Sequence, residues 1–172
     1  MNSDYEQSGI PHDRAGVRID RMEEGIAVLK GLFADGAYSF EGEHYRITGM
    51  DGQPKPVQRP HPPIAIGGNG ERRTLRTVAR WAQHWNSVSQ DPAEWLRKRE
   101  VLHAHCADIG RDPAEIETSV LLRLSGDDDP QALQPLAQAW TEAGADICIV
   151  YLAPPHTAAA VGRIADALAP FA

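Results

Sequence analysis

Three glycines fall within four positions in the stretch RPHPPIAIGGNGERRT: Gly67, Gly68 and Gly70 surround Asn69, and Arg72 and Arg73 follow. Glycine has no Cβ, so a backbone built from it can approach a ligand closely and take positive φ. A helix that begins directly afterwards offers unpaired N–H groups and the positive end of its dipole. The chemistry available here is anion binding, with a phosphate as the natural ligand. The spacing matches neither standard nucleotide motif. GxGxxG would need glycine where Arg73 stands, and a P-loop would need GK[ST]. The same glycines also serve a tight strand-to-helix turn with no ligand, and both readings stay open on these residues alone.

The other reactive side chains form weaker patterns. His103 and His105 lie two apart on a helical stretch and point to different sides, so they do not share a metal. His44 sits beside Tyr45 in a hairpin, where a surface position is expected. His84 is placed near the C-terminal end of a short strand, where barrel sites are built, and is a candidate for a functional role. Asp127, Asp128 and Asp129 read as a solvated loop ending in a helix cap, rather than a cation site. Trp81, Trp95 and Trp140 read as packing residues, while Trp85 is a candidate to flank a ligand. No Ser-His-Asp order and no nucleophile elbow occurs. Cys106 and Cys148 form no CxxC motif and no metal spacing, so two reduced thiols are expected, with no metal site.

The 172 residues suffice for one ordinary domain with a real core, and 42% apolar with 24% charged residues is a globular composition. The formal charge of −7 argues against general nucleic-acid binding, which needs clustered Lys and Arg. No apolar run approaches a membrane span. The N-terminal MNSDYEQSGIPHDR has no apolar core of a secretory signal, so a cytoplasmic protein is expected.

The elements that must position these residues follow from periodicity. Ile19, Met22, Ile26, Leu29 and Phe33 make one apolar stripe, which predicts a helix from about Asp13 to Ala34, ended by Gly36. AYSFEGEHYRI reads as a hairpin and GMDGQPKPVQRPHPP as an extended connector, so residues 35–62 are hairpin plus connector. Then strand and helix alternate four times from Pro63 to Pro170. Asp91-Pro92-Ala93-Glu94 opens one helix with a cap, a first-turn proline and a returning carboxylate. Asp129 caps another, Gly144 stops it, and Pro135 in its second turn is expected to kink it. The last strand, ICIVYLA, is nearly all apolar, the pattern of a parallel strand covered on both faces.

Such alternation predicts an α/β fold with right-handed βαβ units and a parallel sheet. A closed (β/α)8 barrel needs eight units, and four are present. Either a small open sheet or a half-barrel satisfies the count. A half-barrel leaves open parallel edges, which predicts pairing with a second copy as a homodimer, or with a partner half.

Several ordered motifs resemble the luciferase-like monooxygenase superfamily. They are Arg18, Arg21 and Glu24 as R-x-x-R-x-x-E; Phe40, Gly42 and Tyr45 as F-x-G-x-x-Y; the proline-rich run from Pro54 to Gly68; and the closing Trp85-Asn86. The resemblance spans nearly all of the chain. It implies a single domain, residues 1–172, equivalent to strands five to eight of a (β/α)8 barrel, a partial TIM barrel preceded by a helix and a hairpin. It implies a flavin- or deazaflavin-dependent oxidoreductase or monooxygenase acting on a small molecule, with FMN or coenzyme F-420 not distinguished. It places the cofactor phosphate on Gly67, Gly68, Asn69 and Gly70, with Arg72, Trp85 and Asn86 nearby. The family's A-D-G-W-N is here Ala82-Gln83-His84-Trp85-Asn86, a departure at Gln83 and His84. The family's ring-binding and catalytic side chains lie largely on the first four strands, so none is assigned here. A non-catalytic half-barrel that assembles with itself or a partner chain is the alternative.

Overall fold

The computed structural model describes residues 2–124, 128–154 and 156–171. They form two compact units, one ending at Pro62 and the other beginning at Pro63.

The first unit holds helices α1 (Asn2–Ser8) and α2 (Ala15–Phe33) and strands β1 (Tyr38–Glu41) and β2 (Arg46–Met50). The short α1 has no apolar stripe to announce it, which is why periodicity misses it. Asp13 lies before α2 and pairs with Arg21 at 2.7 Å, so the helix starts two residues later than expected. Val28 and Ile26 are the buried positions of α2, whereas Leu29 is 49% exposed, against the predicted stripe. β1 and β2 pair antiparallel, with Phe40 opposite Ile47. Their turn is closed by Glu24 of α2, whose carboxylate accepts from the amides of Glu43 and His44 at 2.8 Å and Tyr45 at 3.1 Å. A Cβ at Gly42 would run into that carboxylate and into Phe40, so a larger residue there has to displace the side chains that close the turn. Partial burial works against ionisation of Glu24, yet the three amides hold its carboxyl below the ordinary glutamate value.

The second unit is the expected alternation: β3 (Ala65–Gly67), α3 (Thr74–Trp81), β4 (His84–Asn86), α4 (Pro92–Asp108), β5 (Glu117–Leu124), α5 (Leu133–Ala143), β6 (Ile147–Leu152) and α6 (Ala158–Leu168). The four strands pair in chain order and all in parallel. Gly67, Asn86, Ser119 and Ile147 lie in one row across the sheet. The helix-facing side carries Ile66, Trp85, Thr118, Val120, Leu122 and Leu124, all buried. Trp85 stacks on Trp95 with ring centroids 6.2 Å apart, and Trp140 meets Trp95 edge-on at 6.1 Å. These three rings and Leu75, Val78 and Leu102 make the core.

The other side of the sheet is open along β6. In β6 the exposure alternates, and Ile149 and Tyr151 are 42% and 60% exposed. The expectation that this strand is covered on both faces is therefore corrected. Its apolar run serves two surfaces, of which the helices cover one. The strand order, four parallel strands in chain sequence with β3 and β6 as edges, fits the expected half-barrel.

Local capping follows the sequence closely. Asp91 accepts from Ala93 N and Asp129 from Gln131 N, both at 3.0 Å, and Gly144 ends α5 at φ 83°. Glu94 makes no returning bond to Asp91 among the described residues. A 3-10 turn over Pro130–Ala132 precedes α5, so Pro135 falls in that helix's first turn, where its missing N–H costs nothing. The loop from residue 125 to 127, with Asp127, lies outside the described residues.

Candidate functional site

The loop between β3 and α3, residues 68–73, is held from three directions. From below, the buried Trp85 donates from Nε1 to the Gly68 carbonyl at 2.9 Å. Along the sheet, the Gly68 amide donates to the Asn86 carbonyl at 3.0 Å, and Gly68 takes φ 118°, a region that strains any other residue. From the side, the Asn69 amide group is spent on the loop after β4. Its Oδ1 accepts from Ser87 Oγ at 3.0 Å and Val88 N at 3.2 Å, and its Nδ2 donates to Ser89 Oγ at 2.7 Å.

α4 fixes the far end of the loop through Glu71. Arg97 and Lys98 reach its carboxylate at 2.5 and 2.8 Å, and His105 Nε2 bonds its carbonyl at 2.8 Å. Lys98 first, then Arg97, holds the Glu71 carboxyl below its ordinary value. An acidic side chain inside a would-be anion loop is thus paired with two cations. Among the described residues no group accepts from the N–H of Asn69, Gly70, Glu71 or Arg72. Successive backbone amides without a partner form an anion-binding concavity. Arg72 is exposed at its edge, and Arg73 is half-buried with a partner of its own.

A second polar group lies on the open face, one strand away. His84 bonds Glu117 Oε2 through Nδ1 at 2.9 Å and Ser119 Oγ through Nε2 at 2.7 Å, and Asn86 Nδ2 donates to the same Ser119 oxygen at 2.8 Å. His84 is the first residue of β4 and so lies at the strand's N-terminal end, a correction to its expected place near the C-terminal end. Serine, histidine and carboxylate in this geometry resemble a nucleophile relay. Ser119 is fully buried and its oxygen is engaged on both sides, so the group positions rather than attacks.

The sequence profile of the luciferase-like monooxygenases matches residues 2–169. The chain belongs to the luciferase-like monooxygenase family. An FMNH(2)-dependent dimethylsulfone monooxygenase of Pseudomonas putida is 33% identical over 150 residues, covering 79% of this chain and 40% of that protein. Its counterpart in Pseudomonas fluorescens (strain Pf0-1) is 29% identical over 149 residues, covering 78% and 39%. The luciferase-like chain therefore spans about two-fifths of the length of these relatives. Among solved structures, an F420-dependent secondary alcohol dehydrogenase in complex with an F420-acetone adduct superposes with TM-score 0.75 at 14% identity, covering 91% of this chain and 63% of that one. The coenzyme F420-dependent tetrahydromethanopterin reductase from Methanopyrus kandleri gives TM-score 0.61 at 16% identity, covering 85% and 49%. At these identities the structures speak to the fold.

Within this luciferase-like chain, the predicted residues separate by surface. Gly67, Gly68, Asn69, Gly70 and Asn86 gather at the C-terminal ends of β3 and β4, the edge where barrel ligand sites are built. Trp85 lies on the opposite face, and reaches the loop only through its indole N–H. His105 braces Glu71, while His103 lines a separate cleft of about 580 Å³ with Arg99, Glu117 and Asp146. The His44 ring is half-buried, with Nε2 unpartnered among the described residues. Cys106 and Cys148 are free thiols pushed up by burial. Among the described residues no three acidic, His or Cys side chains group as a metal site, and no helix is long and apolar enough to cross a membrane. Sequence reasoning missed Ser87, Ser89, Ser119 and Glu117. Small hydroxyl residues in a short strand-to-helix turn carry no periodic signal. Only the alternation through H-W-N puts His84 and Asn86 on one face.

Proposed function

We propose that this chain is the cofactor-phosphate half of a luciferase-like oxidoreductase, and that the glycine loop beginning at Gly67–Gly70 holds the phosphate of FMN or of coenzyme F-420 through the amides of Asn69, Gly70, Glu71 and Arg72. The observation that carries it is the row of amides at Asn69, Gly70, Glu71 and Arg72. They are clamped in place yet without a protein acceptor among the described residues. Relatives named for FMNH(2) and structural neighbours named for F420 support the two cofactors equally.

Each residue has a defined part. Gly68 supplies the positive-φ corner, Trp85 fixes its carbonyl, Asn69 ties the loop to the turn after β4, and the exposed Arg72 adds positive charge at the rim. The cofactor, when bound, supplies hydride transfer to a small-molecule substrate, or oxygen activation in the case of FMN. No side chain of this chain is given a catalytic part. The test is titration of FMN and coenzyme F-420 against the wild type and Gly68→Asp. A carboxylate facing the amides, on a strained backbone, is expected to abolish binding. Equal binding by both proteins removes the loop from the site.

One observation favours a second reading alongside the first. Ile147, Ile149 and Tyr151 leave an apolar strip on the open sheet face beside an unpaired edge strand. We propose that this face pairs with a second copy or a complementary half-barrel. Light-scattering mass of the wild type and Ile149→Lys tests self-pairing. A dimer that the substitution splits supports it, and a stable wild-type monomer overturns it.

A further inference from the structure

The hydrogen-bond chain on the open face has a direction, and that direction determines what Asn86 offers a ligand. A carboxylate only accepts, so His84 donates to Glu117 from Nδ1. Its Nε2 bonds Ser119 Oγ. The same Ser119 oxygen accepts from Asn86 Nδ2. The Asn86 amide therefore turns its NH2 inward and its Oδ1 away from the chain. That oxygen lies beside the open-face side of Gly67, where a built Cβ would meet it at 3.9 Å. It accepts from no group among the described residues and is not sealed from solvent. An unpartnered acceptor on the strand beside an anion cradle repels the phosphate itself and favours a donor attached to it.

We infer that Asn86 is a specificity residue. Its Oδ1 accepts a hydrogen bond from an O–H or N–H of the bound cofactor beside the phosphate, and Ser119, His84 and Glu117 are positioning residues that fix the amide for this. The inference deepens the cofactor assignment proposed above and rests on it. It also gives the Gln83-His84 departure a role. Gln83 stitches the start of β3 by accepting from Ile64 N at 3.0 Å, and His84 carries the positioning chain.

The test measures two ligands on the same proteins: FMN by fluorescence titration, and inorganic phosphate by its competition with FMN. Asn86→Leu is expected to weaken FMN about fivefold to tenfold, the loss of one neutral hydrogen bond, and to leave phosphate competition unchanged. Ser119→Ala keeps the Asn86 side chain but frees its amide to turn. It is expected to weaken FMN about threefold, again without touching phosphate. Should Asn86→Leu fail to fold, Ser119→Ala decides the matter by the same split. Equal losses of FMN and phosphate would mean a merely structural role and overturn the inference. Wild-type FMN affinity in Asn86→Leu also overturns it, and leaves the cradle standing if Gly68→Asp has lost FMN. Retention of FMN by Gly68→Asp sinks the cradle instead, while Asn86→Leu still decides its own case. A wild type that binds neither FMN nor coenzyme F-420 overturns both.

Discussion

Two tight turns carry the most recognisable residues of the chain, and they differ in where their amides go. In the β1–β2 turn, three consecutive N–H groups end on Glu24, so the protein supplies its own anion. In the loop after β3, four consecutive N–H groups meet no acceptor among the described residues, and the carboxylate of Glu71 is paired with Lys98 and Arg97 instead. Both turns carry glycine, and both are braced by a helix. The first is satisfied internally and is a structural device. The second is clamped but unsatisfied, and a clamped, unsatisfied row of donors is what a ligand site requires.

The comparison can be broken in several ways. The largest expected effect is at Trp85, whose ring underlies the loop and fills the core. Trp85→Ala is expected to lower unfolding free energy by about 3–5 kcal/mol in denaturant titration, and to lose cofactor binding with it. Asn69→Ala comes next. It strands the buried Ser87 and Ser89 hydroxyls, and about 2 kcal/mol of stability is expected to go, with cofactor affinity falling about tenfold as the loop loosens. If affinity holds while stability falls, the clamp is not needed for binding.

In the hairpin the two quantities separate. Glu24→Gln weakens the turn and is expected to lower the melting temperature, while cofactor affinity stays within twofold. Acid gives a related, smaller effect. The carboxyls of Glu24 and Glu71 titrate below their unfolded values, so their contribution is full above the ordinary carboxylate range. It is lost as pH falls through the folded-state values. Melting temperature should therefore fall on acidification below about pH 5, and fall less steeply in Glu24→Gln. An unchanged acid slope in that variant would show that the turn's carboxylate does no work.

Much of the fold was legible in residue order. Alternation from Pro63 onward located all four parallel strands, and Asp91 and Gly144 marked helix ends that the structure bears out locally, while Asp129 caps the 3-10 turn before α5 rather than α5 itself. The coverage of ICIVYLA was not legible. An apolar run reads the same whether its second face meets helices or lies open, as it does at Ile149 and Tyr151. The site was half legible. The glycines announced the loop, because positive φ at Gly68 demands them. Asn69 was predicted to touch the cofactor, but its side chain is consumed by Ser87, Val88 and Ser89, so only its backbone remains for a ligand. The Glu117–His84–Ser119–Asn86 chain joins positions 33 residues apart across parallel strands, a pairing no local pattern specifies.

The most direct measurement is an amide 15N–1H spectrum recorded during titration with FMN. Shifts are expected at Asn69, Gly70, Glu71 and Arg72, with Glu43, His44 and Tyr45 unmoved. Unmoved loop amides at saturating FMN would contradict the account.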